Sequence, residues 1–191
     1  MNFIKRFLTT IVVVGAAVLA LFFALILAGA TKTETNELLG STTTLTSTIS
    51  FLGLAFGGSK IVNTAVSGNN TTTGAFAYDG GMSIFALIAF ILILLSIVVM
   101  LASVLIKNKK ISLIGSILLV LAGIASFLIL VVGTDVSVTT SVDTILGNIS
   151  NTTVTPFAEV FEGFKLGAGA IVCGVLCILG GLFGAYKSIK R

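Results

Sequence analysis

The chain lacks histidine and tryptophan altogether, has a single proline, and only 9% of its 191 residues are charged. The absence of histidine excludes a histidine general base, the usual catalytic triad and a histidine metal ligand. A soluble domain carries about 25% charged residues, so the low charge excludes an ordinary water-soluble fold. Disorder is excluded as well, because it requires low hydrophobicity, and here 56% of residues are hydrophobic. With a mean hydropathy of +1.18, the composition is that of an integral membrane protein.

Residues that could carry chemistry are few. The two cysteines, Cys173 and Cys177, are four residues apart, a spacing that does not favour a disulfide within a helix and supplies too few ligands for a zinc site. We interpret them as buried packing residues. Glu159 and Glu162 could share a helix face, but a solvated rim is the simpler interpretation. We therefore expect no catalytic, metal or cofactor site and no enzymatic activity.

Four apolar runs are long enough to cross a bilayer, which takes roughly 20 helical residues. They are residues 7–30, 82–106, 111–133 and 166–186, and none contains a charged residue or proline. They predict an all-α membrane bundle of four transmembrane helices over residues 1–191, with loops 31–81 and 134–165 on one side. The first run has 24 residues, longer than the core of a secretory signal, about 7–15 residues, so we expect it to be a retained span.

The charges divide between the two sides of this bundle. Eight of the 11 basic residues lie near the termini or in the link 107–110, where there is no acidic residue, and all seven acidic residues lie in the two long loops. By the positive-inside rule, we expect both termini in the cytoplasm, the long loops outside, and a multi-pass protein of the plasma membrane. The net charge of +4 is thereby explained by anchoring in the lipid bilayer, and no nucleic-acid partner is expected.

The first outer loop carries two local patterns. Apolar residues recur at helical spacing at Leu38, Leu45, Ile49, Leu52 and Phe56. This spacing favours an amphipathic helix, whereas the threonine-rich stretch 41–50 offers a strand as the alternative. Further on, runs 60–66 and 71–78 flank a Gly/Asn cluster and predict a β-hairpin. Because an isolated hairpin is marginally stable, we expect a small sheet that gains a third strand from elsewhere in the chain or from a neighbouring subunit.

The second outer loop begins with an extended piece at Val136 and Val138 that could pair with this hairpin. The apolar residues within 142–149 have helical spacing. Further on, Pro156 sits where a helix can start, and the helix that follows it is predicted to be an outer extension of the fourth span. Its aromatic stripe either caps the bundle or forms a contact surface for another subunit. The stripe consists of Phe157, Phe161 and Phe164.

Small residues in the spans predict close helix packing. The candidate packing glycines are Gly163, Gly167, Gly174, Gly180 and Gly184. The first span offers alanines at the same spacing of four, so we expect spans one and four to pack closely, within or between subunits. Spans two and three are richer in Leu, Ile and Val, which lipid-facing helices tolerate.

The spans contain no ionisable residue other than cysteine and tyrosine, which argues against a coupled transporter. A passive pore is harder to exclude, because hydroxyl side chains such as Ser96 and Ser103 can line one. We expect a structural, self-associating tetraspan protein that makes lateral or surface contacts through its outer loops, as a homo-oligomer or with a partner membrane protein. The alternatives are a subunit of a passive pore and an accessory subunit of a larger membrane complex.

The order of four spans, a long outer loop with a hairpin, a short basic inner turn and a shorter outer loop resembles the claudin-like tetraspan membrane proteins. The resemblance is one of layout, since claudins carry a tryptophan motif and a cysteine pair in the first loop. The segments 56–60 and 78–81 look like those of small uncharacterised four-span proteins of low-GC Gram-positive bacteria and mollicutes. That resemblance implies a bacterial membrane protein and supplies no activity.

Overall fold

The computed structural model describes residues 2–38, 41–57, 60–67, 70–106, 108–144 and 147–190. The helices are α1 (Asn2–Ile26), α2 (Phe51–Phe56), α3 (Ile84–Ile106), α4 (Lys109–Phe127), α5 (Phe157–Val160) and α6 (Ala168–Ile189). The strands are β1 (Ala28–Leu38), β2 (Ser41–Ser50), β3 (Lys60–Ser67), β4 (Asn70–Gly80), β5 (Val136–Thr144), β6 (Gly147–Thr155) and β7 (Lys165–Leu166).

Helices α1, α3, α4 and α6 are long and apolar enough to cross a membrane, as the four runs predicted. This supports a multi-pass, four-span membrane protein. Two of these helices end well before the predicted runs do. The first helix ends at Ile26, because the chain enters β1 at Ala28. The third ends at Phe127, after which residues 128–131 form turns in which the Leu128 N–H donates to the Ala125 carbonyl.

The strands form one antiparallel sheet in the order β6-β5-β4-β3-β2-β1-β7. It is larger than the small sheet we expected, because both outer loops contribute. Three hairpins, β1–β2, β3–β4 and β5–β6, stand side by side. The third strand expected beside the 60–78 hairpin comes from within the chain on both sides, since β2 pairs with β3 and β5 pairs with β4.

Two helix predictions in the outer loops are wrong. Residues 41–50 form β2, which is hydrogen-bonded to β1 and β3, and the helix is confined to α2. Residues 142–144 end β5 and residues 147–149 begin β6, where Val142 pairs with Ile149, while Ile145 and Leu146 lie outside the described residues. In both cases β-branched threonine and valine side chains favour the pleated surface, and neighbouring strands supply hydrogen bonds that a sequence pattern does not reveal.

The predicted extension of the fourth span is also wrong in form. A helix does start after Pro156, but α5 is a single turn. The chain then turns through residues 161–163 and forms β7, which pairs with β1 at Ala30 and Thr31. The helix α6 begins only after this return to the sheet. α5 is therefore a separate helical turn between the sheet and the bundle.

Within the bundle, α6 packs against α4 and α1, and α3 packs against α4. The expected contact between spans one and four is present, but the fourth span packs on the third as well. Spans two and three are joined across their interface by a hydrogen bond from Ser96 Oγ to the Gly115 carbonyl, 2.8 Å. Much of the buried helix surface is alanine, which lets the backbones approach closely.

Candidate functional site

The sheet ends in two edge strands. On one side β6 is the last strand of the sheet, and on the other side β7 covers β1 only at Ala30 and Thr31. Beyond Thr31, β1 is therefore an edge as well. An edge strand presents backbone donors and acceptors that can pair with another chain.

The two edges differ in their side chains. The strand β6 contains no charged residue and no proline, and Val154 on it is 68% exposed. Proteins commonly block an edge with lysine, proline or a bulge. β6 contains neither lysine nor proline. The open part of β1 carries a lysine, Lys32, which forms an ion pair of 2.9 Å with Glu34. The β6 edge is thus the more open of the two.

The aromatic stripe lies at the junction of sheet and bundle. Phe157 and Phe161 are only 3% and 7% exposed, and their ring centroids are 4.3 Å apart. The ring of Phe157 occupies the space that a side chain on Gly133 would need, and Phe164 is half-buried against Phe161. The rings of Phe157 and Phe161 are thus covered by the chain itself, in keeping with the capping interpretation and not with an exposed contact surface at these two residues.

Three of the predicted packing glycines lie in α6 where neighbouring helices come close. A Cβ added at Gly180 would be 2.7 Å from the Cβ of Ala16 on α1. A Cβ at Gly174 would be 2.7 Å from the Phe127 ring of α4. A Cβ at Gly184 would meet both α1 and α4, through Val13 and Ser116. These three glycines therefore allow close packing at two interfaces, that of α6 with α1 and that of α6 with α4.

The other two predicted glycines act differently. Gly163 lies outside α6, in a turn with φ of 78°, so its spacing of four from Gly167 is not a helical step. At this φ a side chain would be strained. Gly167 precedes α6, and its N–H donates to the Gly29 carbonyl at 2.8 Å. A side chain at Gly167 would collide with the Ala28 carbonyl, so this glycine lets β1 pass close to the start of α6.

The interface between α4 and α6 was missed by the sequence analysis. A Cβ at Gly181 would be 2.7 Å from the Ser116 carbonyl oxygen, and one at Gly123 would be 2.7 Å from the Gly174 carbonyl oxygen. The two backbones thus touch over two helical turns. The spacing of seven between Gly174 and Gly181 could have indicated this interface on the fourth span. The third span was instead predicted to face lipid, because it is rich in Leu and Val.

Three serine hydroxyls in the spans bond within their own helix, whereas that of Ser96 crosses from α3 to α4. Ser126 and Ser116 donate to the carbonyls of Ala122 and Ser112, four residues earlier, at 3.0 and 2.9 Å. Ser103 donates to the Met100 carbonyl at 2.7 Å. Serines that bond their own helix and lie in close helix contacts pack the bundle.

The two cysteines are free and buried in α6, with Cys173 Sγ 3.7 Å from Ser126 Oγ. This agrees with their interpretation as packing residues. Among the residues that the structure describes, no group of three or more side chains could hold a metal ion.

No protein-family model matches the chain, and no curated protein matches it.

Proposed function

We propose that the chain is a structural, self-associating four-span protein of the plasma membrane, which makes lateral contacts through the edges of its outer sheet. The observation that carries the proposal is the pair of open edges, β6 on one side and the outer part of β1 on the other. Backbone pairing between edges needs no specific side-chain chemistry, which suits strands rich in threonine.

The strand directions favour one mode of pairing. β1 leaves the bundle directly after α1, and β6 returns to the bundle before α5. Two copies in one membrane share their orientation, so β6 of one copy and β1 of the next run antiparallel, as all neighbours within the sheet do. Pairing of two β1 edges or two β6 edges in one membrane would be parallel. We therefore propose a head-to-tail contact, which generates rings or rows of copies.

The charge distribution supports an outward-facing sheet. The described basic residues Lys109, Lys110, Lys187 and Lys190 are exposed at the end of the bundle opposite the sheet. Under the positive-inside rule, that end is cytoplasmic. The layout resembles that of claudin-like proteins, whose tryptophan and cysteine motif is absent here, so the resemblance supports the architecture alone.

Native mass spectrometry in mild detergent tests the association directly. We expect oligomers in the unmodified chain and a clear loss of them in Val154→Lys, because a charge on an edge strand opposes pairing. The matched control is Val66→Lys. Val66 is also an exposed valine, but it lies on β3, which is paired on both sides, so its oligomers should remain.

A strictly monomeric unmodified chain would overturn the proposal. A monomer that co-purifies with a different membrane protein would favour the accessory-subunit alternative. Oligomers that persist unchanged in Val154→Lys would place the contact elsewhere, away from the β6 edge.

A further inference from the structure

A groove and a pocket adjoin each other at the end of the bundle that carries the termini. The groove lies between α1 and α3, has a volume of about 290 Å³ and an almost wholly apolar lining that includes Ile11, Val14, Leu101 and Leu105. Ile11 and Leu101 are about half exposed and Leu105 is 82% exposed, so the groove opens sideways, toward lipid. An apolar cavity of about 150 Å³ can hold a benzene ring, so this one has room for a segment of hydrocarbon chain.

A small pocket of about 10 Å³, which has room for one water-sized group, continues from the groove toward the end of the bundle. It is lined by residues of all four long helices and of the α3–α4 link, namely Thr10, Ser103, Val104, Asn108, Lys109, Ser112 and Ser188. Most of these side chains are polar, and Thr10 and Val104 also line the groove. Groove and pocket together are thus apolar at one end and polar at the other.

Thr10 lies at the point where the two meet. It is only 6% exposed, yet within the described part of the chain its hydroxyl makes no hydrogen bond. The other pocket hydroxyls are partnered, since Ser112 and Ser188 bond each other at 3.0 Å and Ser103 bonds its own helix. A buried hydroxyl without a partner is costly, so a polar group that bonds the Thr10 hydroxyl would offset this cost.

The mouth of the pocket is basic. Lys109 lines the pocket and is exposed, and the sequence places no acidic residue on this side of the bundle. An anionic group at the mouth would gain charge-assisted hydrogen bonds and would meet no carboxylate.

We propose that the groove and the pocket together bind an anionic phospholipid of the leaflet on the side of the termini, with an acyl chain in the groove, an ester oxygen at Thr10 and the phosphate at Lys109. The two polarities of the site match the two ends of such a lipid. The proposal is independent of self-association, because the site is formed within a single chain.

Native mass spectrometry of the full chain, with dioleoyl phosphatidylglycerol or dioleoyl phosphatidylcholine added, tests the proposal. We expect one phosphatidylglycerol retained per chain, about tenfold more tightly than phosphatidylcholine, because the choline cation of phosphatidylcholine would lie beside the lysine at the mouth and like charges repel. Glycerol phosphate, which carries the headgroup without the chains, should not displace the lipid. Equal retention of both lipids, or displacement by glycerol phosphate, would overturn the assignment.

Two pairs of variants localise the lipid. Leu101→Trp fills the groove and should abolish retention, whereas Val98→Trp, which is 62% exposed on α3 but outside the groove, should leave it unchanged. Lys109→Gln should weaken retention about tenfold, and Lys187→Gln should not. If Leu101→Trp fails to fold, Leu105→Trp at the exposed end of the groove takes its place.

If Leu101→Trp and Val98→Trp both lose the lipid, or both keep it, the lipid is held elsewhere on the bundle and the proposal is wrong. A photoreactive amino acid at position 101 gives an independent measurement. It should label phosphatidylglycerol, and labelling of a second protein chain instead would identify the groove as a protein interface.

Discussion

Gly181 lies where α6 touches the backbone of α4, and Gly15 lies on α1 where a Cβ would meet nothing within 4 Å. These two residues form a matched pair. We expect Gly181→Ala to lower the free energy of unfolding by about 1–3 kcal/mol, because the new methyl group would lie too close to the Ser116 carbonyl and the helices must separate. Gly15→Ala should leave stability unchanged or raise it, since alanine is the better helix former. Thermal unfolding in detergent measures both.

The same measurement tests larger replacements at two glycines that sequence analysis identified. Gly180→Leu and Gly184→Leu should lower the melting temperature, because each glycine faces a neighbouring helix. Leu176→Ile, on the same helix, should be nearly neutral. Unchanged melting in both leucine variants would show that these glycines are not packing sites.

Ser96 joins two helices through one hydroxyl. Its hydrogen bond to the Gly115 carbonyl crosses from α3 to α4 in a fully buried position. We expect Ser96→Ala to cost about 0.5–1.5 kcal/mol, the range of interhelical hydrogen bonds in membranes. Ser103→Ala is the control, because Ser103 bonds only its own helix. An equal loss in the two variants would contradict a special role for the bond between the helices.

At the scale of elements, α5 fastens the second outer loop to the bundle. Phe157 fills the space beside Gly133, at the end of the chain segment that follows α4. Phe157→Ala should lower the free energy of unfolding by about 3–5 kcal/mol, the usual cost of removing a buried phenylalanine. Protease cleavage within 134–165 should also become faster, because the loop loses its anchor.

Phe22→Ala is the control for this variant. Phe22 lies on α1 and is 53% exposed, where lipid chains can replace the lost contacts, so stability should change little. If Phe157→Ala were as mild as Phe22→Ala and cleavage stayed slow, α5 would not be the anchor.

At the scale of the whole molecule, the orientation in the membrane can be read by labelling. A cysteine at Asn70, in the outer sheet, should react with a membrane-impermeant maleimide on intact cells. Cysteines at Asn108 or Lys190, at the end of the termini, should react only after permeabilisation. The native cysteines are buried and can be replaced by alanine to remove background. The reverse labelling pattern would overturn the proposed orientation.

The threonine-rich stretch of β2 is a place where the sequence favoured a helix and the structure has a strand. Apolar residues at helical spacing outweighed the β-preference of threonine, yet Thr44 pairs with strands on both sides. Spacing within one segment reports only which local structure is possible. The choice was made by partner strands, and the partner that β5 has in β4 lies more than 50 residues earlier in the chain. The hairpin 60–78 was found because its turn residues signal it locally.

The glycines show the same division within the spans. Gly180 was found because its spacing from Gly184 is a local signal, whereas Gly123 carries no comparable pattern and its close contact depends on where α6 lies. The groove at Thr10 could not be found from sequence, since a buried hydroxyl without a partner becomes visible only when α1 and α3 are placed together.

By itself the sequence determined the number of spans and the division of charge between the two sides, because both depend on the solvent that each segment must face. Only the tertiary structure decided that two separate loops join in one sheet, that the fourth span packs on both the first and the third, and that an apolar groove between α1 and α3 adjoins a pocket lined by Lys109. These features depend on contacts between segments far apart in the chain, for which local periodicity contains no information.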